Sequence, residues 1–114
     1  MITRNDRAAR TAAMLGAVTL AAVLLGPATA RAADASVKID NFIFDPPRLT
    51  VKAGTTVTWY NKDDIPHTVV STDKEFKSKV LDTDEKFSTT LSKAGTFTYF
   101  CSIHPKMTGT VVVQ

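Results

Sequence analysis

From Ser36 to the end of the chain, apolar and polar residues alternate with a period of two, and no window carries apolar residues at helical spacing for more than about one turn. Such a chain can bury its apolar side chains only on the faces of sheets. Val37 and Ile39 alternate with Ser36, Lys38 and Asp40, and Leu49 and Val51 with Thr50 and Lys52, before Ala53-Gly54 turns the chain. Within residues 55–61, Val57, Trp59 and Asn61 share one face; a polar Lys62-Asp63-Asp64 turn follows, and residues 67–70 restart an extended run. Phe87, Thr89 and Leu91 alternate with Ser88 and Thr90, Lys93-Ala94-Gly95 turns, β-branched and aromatic residues lead into Cys101, and residues 108–114 form a last strand. Short strands separated by Gly, Pro and Asp turns predict an all-β fold. The expected form is a Greek-key antiparallel β-sandwich of about seven to eight strands, with a barrel as the weaker alternative. Residues 71–85, rich in Lys and Asp, fit a loop, a short strand or one helical turn.

Charge is unevenly placed. The formal net charge is +3, yet Arg4, Arg7, Arg10 and Arg31 oppose only Asp6 in the first 33 residues, while ten Lys/Arg face ten Asp/Glu from Asp34 onward. The neutral remainder removes the electrostatic case for nucleic acid or an anionic membrane as a partner. All nine aromatic residues lie there too, so one small domain over 33–114 is expected. Ahead of it, three arginines precede an apolar stretch over 12–25, and Pro27 leads into Ala28-Thr29-Ala30 and the overlapping Ala30-Arg31-Ala32. This is the pattern of a cleaved secretory signal peptide, 1–32, whose apolar run falls short of the roughly 20 residues a membrane span needs. There is no Arg-Arg pair and no Cys at the junction to carry a lipid, so the expected product is a soluble domain in the periplasm.

Export makes Cys101 informative. A small exported domain is commonly stapled by disulfides, but Cys101 is the only Cys. The residues that follow read Cys101-Ser102-Ile103-His104-Pro105-Lys106-Met107, and the other histidine, His67, starts its own strand 34 residues upstream. Singly, these are a buried thiol, a loop histidine, a core methionine and a turn histidine. Together they are one thiolate, two imidazoles and a thioether, the ligand set of a blue-copper electron-transfer centre. Three donors on one tight loop can converge on a single ion, and His67, from another strand pair at the same end of a sandwich, closes the trigonal set. Pro66 and Pro105, with fixed φ, stiffen the two segments. Zinc is the chemical rival, but a structural zinc site normally takes four Cys or His ligands, and here one would be Met. A thiol nucleophile with His104 as its base is weaker still, because no helix lowers the thiol pKa and no third group orients the imidazole.

These residues resemble the cupredoxins, and within them the amicyanin and plastocyanin-like group of small copper proteins. The resemblance rests on Val57-Thr58-Trp59-Tyr60-Asn61, Ile65-Pro66-His67-Thr68-Val69, residues 95–101, His104-Pro105, Met107 and Gly109-Thr110-Val111-Val112-Val113, and it spans nearly all of 37–113. The two-residue gaps on either side of His104 match the short amicyanin-type loop. The resemblance implies one type 1 copper ion, with His67 and His104 bound through Nδ1, Cys101 as thiolate and Met107 as the long axial ligand. It further implies that His104, with Pro105, Ile103 and Pro66 around it, is the electron-transfer port, and that Asn61 hydrogen-bonds Ser102 and so ties the two ligand segments together. Residues 71–85 and the short segment before the first strand do not match the group, so copper chemistry carries over and partner identity does not.

The expected function is a soluble, monomeric carrier of single electrons between redox proteins such as a c-type cytochrome or a periplasmic oxidoreductase, and not an enzyme. The alternative is copper delivery or tolerance. A Met-rich or His-rich tail would favour that alternative, and Met107 is the only Met after the leader. A metal-free structural or adhesion sandwich would leave the four donors as coincidence.

Overall fold

The structure, a computed structural model, describes residues 33–114. The signal-peptide expectation for 1–32 therefore lies outside the described residues. Eight strands follow one another with no helix between them: β1 (Asp34–Asp40), β2 (Ile43–Asp45), β3 (Arg48–Val51), β4 (Thr55–Asn61), β5 (Val70–Ser71), β6 (Lys86–Leu91), β7 (Gly95–Phe100) and β8 (Thr108–Val113). They form two four-stranded sheets, β2-β1-β4-β6 and β3-β8-β7-β5, and the all-β sandwich expected from the alternation is what the chain adopts.

The sheets are mixed rather than wholly antiparallel. Strand β1 runs parallel to β4, and β3 runs parallel to β8; the other pairs are antiparallel. The cause is connectivity. After β2 the chain crosses to the opposite sheet for β3 and returns for β4, and a return of this kind can lay a strand beside an earlier one in the same direction, which a tight hairpin cannot do.

The period of two is realised in burial. Val37 and Ile39 of β1, Val57, Trp59 and Asn61 of β4, Phe97 and Tyr99 of β7, and Val111 and Val113 of β8 all point inward. Trp59 is the hub of the interior, with the rings of Tyr99, Phe76 and Phe87 at centroid distances of 5.3, 5.4 and 5.8 Å. Gly109 is required opposite Tyr99, since a Cβ there would sit 2.3 Å from that ring.

Residues 71–85 are a strap with little regular structure. Isolated bridges tie Leu81 to His67 and Lys77 to Val70, and the strap delivers Phe76 and Leu81 to the core. The extended run expected over 67–70 shares its backbone partners accordingly: its start pairs with the strap, and only Val70 and Ser71 join β7. Strand β7 thus ends at one pole of the sandwich, beside the start of that run, and brings Cys101 next to His67.

Candidate metal centre

His67 is fully buried, and the turn before it is wired from end to end. Asn61, at the end of β4, accepts the Asp63 N–H at Oδ1 (2.9 Å) and donates through Nδ2 to the carbonyls of Ile65 (3.0 Å) and Leu81 (2.9 Å). The main chain of His67 exchanges hydrogen bonds with Leu81, which fixes the ring's point of departure. Its Nε2 lies 2.9 Å from Oδ2 of Asp63. The His67 hydrogen bond, then the Phe42 N–H at 3.1 Å and the Asp64 contacts, hold the Asp63 carboxyl down at about 2 against the opposing effect of burial.

The two-residue spacers of Cys101-x-x-His104-x-x-Met107 have a backbone reason. His104 N–H donates to Cys101 C=O (3.1 Å), and Met107 N–H donates to His104 C=O (2.9 Å), so the loop is two successive turns whose corners are the three donor residues. Cys101 N–H donates back to Met107 C=O (3.0 Å) and closes it. Cys101 and Met107 are buried, His104 is half-buried, and Pro105, Ile103 and Pro66 are exposed.

Thr68, next to His67, joins the two segments. Its N–H points at Cys101 Sγ (3.3 Å), and its Oγ1 accepts the Ser102 N–H (2.7 Å) and shares a hydrogen bond with Ser102 Oγ (2.7 Å). This corrects the expectation for Asn61, whose side chain is spent inside the His67 turn and makes no bond to Ser102. Burial pushes the Cys101 thiol up, but hydrogen bonds from Thr68 N–H, His67, Ile103 N–H and the Thr68 hydroxyl outweigh it and bring the thiol down to about 6. A thiolate at neutral pH is the form that binds metal.

Three of the four expected donors converge. Nδ1 of His67 stands 3.8 Å and Nδ1 of His104 3.7 Å from Cys101 Sγ, and the three atoms lie within 4.8 Å of one another. Metal–sulfur and metal–nitrogen bonds of about 2.3 and 2.0–2.1 Å set about 120° apart require a separation of about 3.8 Å, which both Sγ–Nδ1 distances match. The fourth, Met107, is held on the same loop by the bonds that shape it. Three neighbours escaped the sequence reading: Asp63, Thr68 and Phe42. A carboxylate four residues before a ligand histidine, and a hydroxyl directly after it, were the available signals for the first two; nothing in the sequence pointed to Phe42.

A β-sandwich with a His₂Cys set and a Met on the Cys loop defines a copper protein of the blue type. The profile of the cupredoxin-like domain matches residues 12–113, and the chain belongs to that family. It is 36% identical over 94 residues to amicyanin of Paracoccus denitrificans, covering 76% of this chain and 72% of that one. To amicyanin-alpha of Methylorubrum extorquens it is 34% identical over 118 residues, covering 95% and 99%. Among solved structures, a purple cupredoxin from Nitrosopumilus maritimus superposes with a TM-score of 0.69 at 34% identity, over 71% of this chain and all of that one. A copper-containing nitrite reductase from Thermus scotoductus also superposes, with a TM-score of 0.67 at 31% identity, but over only 22% of its length. Copper is this family's cofactor, and His67, Cys101, His104 and Met107 are positioned here as a type 1 copper site.

Proposed function

We infer that this protein is an exported carrier of single electrons. His67, Cys101 and His104 hold copper in a trigonal set, Met107 lies on its axis, and His104 with Pro105 forms the port through which electrons pass. The observation that carries this reading is the pair of Sγ–Nδ1 separations, 3.8 and 3.7 Å. Copper bound there supplies a one-electron Cu(I)/Cu(II) couple. The chain's part is to keep the donors still: thiolate and thioether favour Cu(I), imidazole serves both states, and a site that moves little between them exchanges electrons readily. The asymmetry of the two imidazoles supports the port, since His67 is sealed inside and His104 sits at the surface beside Ile103 and Pro105. Four donors from the chain leave no open position for a substrate, which supports a carrier rather than an enzyme. The likeness to the nitrite reductase covers a fraction of that chain and carries none of its activity here. Redox proteins such as a c-type cytochrome or a periplasmic oxidoreductase are the proposed partners of a monomeric domain, 33–114, freed from a cleaved signal peptide, 1–32.

The test is to mix the reduced protein with a ferric c-type cytochrome and follow both electrons and copper. The reading predicts rapid reduction of the cytochrome, with copper retained and the protein's own colour appearing. Copper that leaves the protein for an acceptor, with no electron passed, would establish copper delivery instead.

A further inference from the structure

The turn between β1 and β2 belongs to neither ligand segment. It is a two-residue loop between the paired Asp40 and Ile43, with φ of 52° at Asn41 and 61° at Phe42. This is the left-handed backbone of a type I′ turn, where Gly ordinarily follows Asn and where a bulky side chain is strained. A strained residue persists only when its surroundings hold it. Two contacts do so here. Phe42 N–H donates to Oδ2 of Asp63 (3.1 Å), the oxygen that also faces Nε2 of His67. The Phe42 ring, although 44% exposed, meets the His104 ring at 4.9 Å and 87° and the His67 ring at 5.5 Å and 90°. The two imidazoles are 5.1 Å apart, so the three rings close a triangle.

The two imidazoles depend on Phe42 unequally. His67 is buried and anchored by Asp63, whereas the half-buried His104 ring has, among the described residues, no hydrogen-bond partner besides the sulfur. The Phe42 ring, from the β1–β2 turn, stands edge-on to it at 4.9 Å. We propose that Phe42 is a positioning residue: a clamp, set by Asp63, that holds the two imidazoles together over Cys101 and keeps His104 from swinging into solvent. This rests on the copper reading above.

The test compares Phe42→Ala, Phe42→Gly and Phe42→Tyr in the copper-loaded protein, timing Cu(I) capture by the chelator bicinchoninate. Supporting partners of a metal ligand commonly matter by about 10–100-fold, so the Ala and Gly variants should lose copper about tenfold faster or more, and the Tyr variant at the parent rate. Glycine is the discriminating change. It relieves the backbone, so if residue 42 served the turn alone, Phe42→Gly would keep copper as well as the parent, and the clamp would be overturned. Parent-like release from Phe42→Ala would overturn it as well. Should the variants fail to fold, the apoprotein decides: nuclear Overhauser contacts from the Phe42 ring to both imidazoles are expected, and their absence refutes the clamp. Failure of the parent protein to form a thiolate–copper band would defeat the copper reading instead, and the apoprotein contacts would still judge the clamp.

Discussion

Oδ2 of Asp63 lies 2.9 Å from Nε2 of His67, so the imidazole that turns Nδ1 toward Cys101 is braced from behind by a carboxylate. The pairing keeps the ring proton on Nε2 and leaves the Nδ1 lone pair for a metal. Asp63→Ala should weaken copper binding by about 10–100-fold, measured by competition with a chelator of known affinity. Unchanged affinity would show that burial alone orients His67.

The same contact sets an acid limit. The Asp63 carboxyl is lowered from 3.8 to about 2, chiefly by its hydrogen bond with His67. A depressed carboxyl contributes stability that is complete above its unfolded value of 3.8 and disappears as pH falls through about 2. Denaturant unfolding of the apoprotein should therefore show the advantage of the parent over Asp63→Asn shrinking across that window. A difference that stays constant down to the lower limit would contradict the assignment.

Cys101 makes a second pH prediction, of the same sign. Its thiol is lowered from 9.0 to about 6, so thiolate absorbance in the apoprotein should titrate near 6. The associated stability is complete above 9.0 and is lost as pH falls through about 6. A midpoint at or above 9.0 would mean that burial cancels or outweighs the Thr68 and His67 contacts.

Thr68→Val keeps the shape and the N–H that points at sulfur, but removes the hydroxyl that receives the Ser102 N–H. Leaving that partly buried donor without its acceptor should cost about 1–3 kcal/mol in the unfolding free energy. The visible band should shift as the Cys101 loop loosens, whereas Asn61 substitutions should act through the His67 turn. A Thr68→Val protein matching the parent in both stability and colour would count against Thr68 as the tie.

Met107→Leu should retain copper and raise the reduction potential, because losing the weak axial donor costs Cu(II), which gains from a fourth ligand, more than Cu(I), which the three donors His67, Cys101 and His104 satisfy. Voltammetry of the two proteins side by side measures it. A lowered potential would indicate that Met107 is not on the copper axis.

Much of this was legible in the residues. Alternation at Val37/Ile39, Val57/Trp59 and Phe97/Tyr99 dictates sheets with one buried face, and the sandwich follows. The spacing around His104 puts three donors on one tight loop, which the chain builds as two turns with the donors at their corners. What stayed hidden depends on contacts between distant segments. Whether Asn61 or Thr68 reaches Ser102 turns on which side chain the His67 turn consumes, and both are short polar groups in the right neighbourhood. The parallel pairings of β1 with β4 and of β3 with β8 arise from crossings between sheets, which leave no periodic trace. Phe42 reads as an ordinary apolar residue until the β1–β2 register aims it at two imidazoles.

The most direct test of the whole account is to add Cu(II) to the apoprotein and record the visible and electron paramagnetic resonance spectra together, with Cys101→Ser alongside. An intense thiolate–copper absorption with narrow copper hyperfine splitting, abolished in Cys101→Ser, is the predicted result. A pale solution with ordinary wide splitting, or colour that survives in Cys101→Ser, would contradict a copper site built on His67, Cys101 and His104.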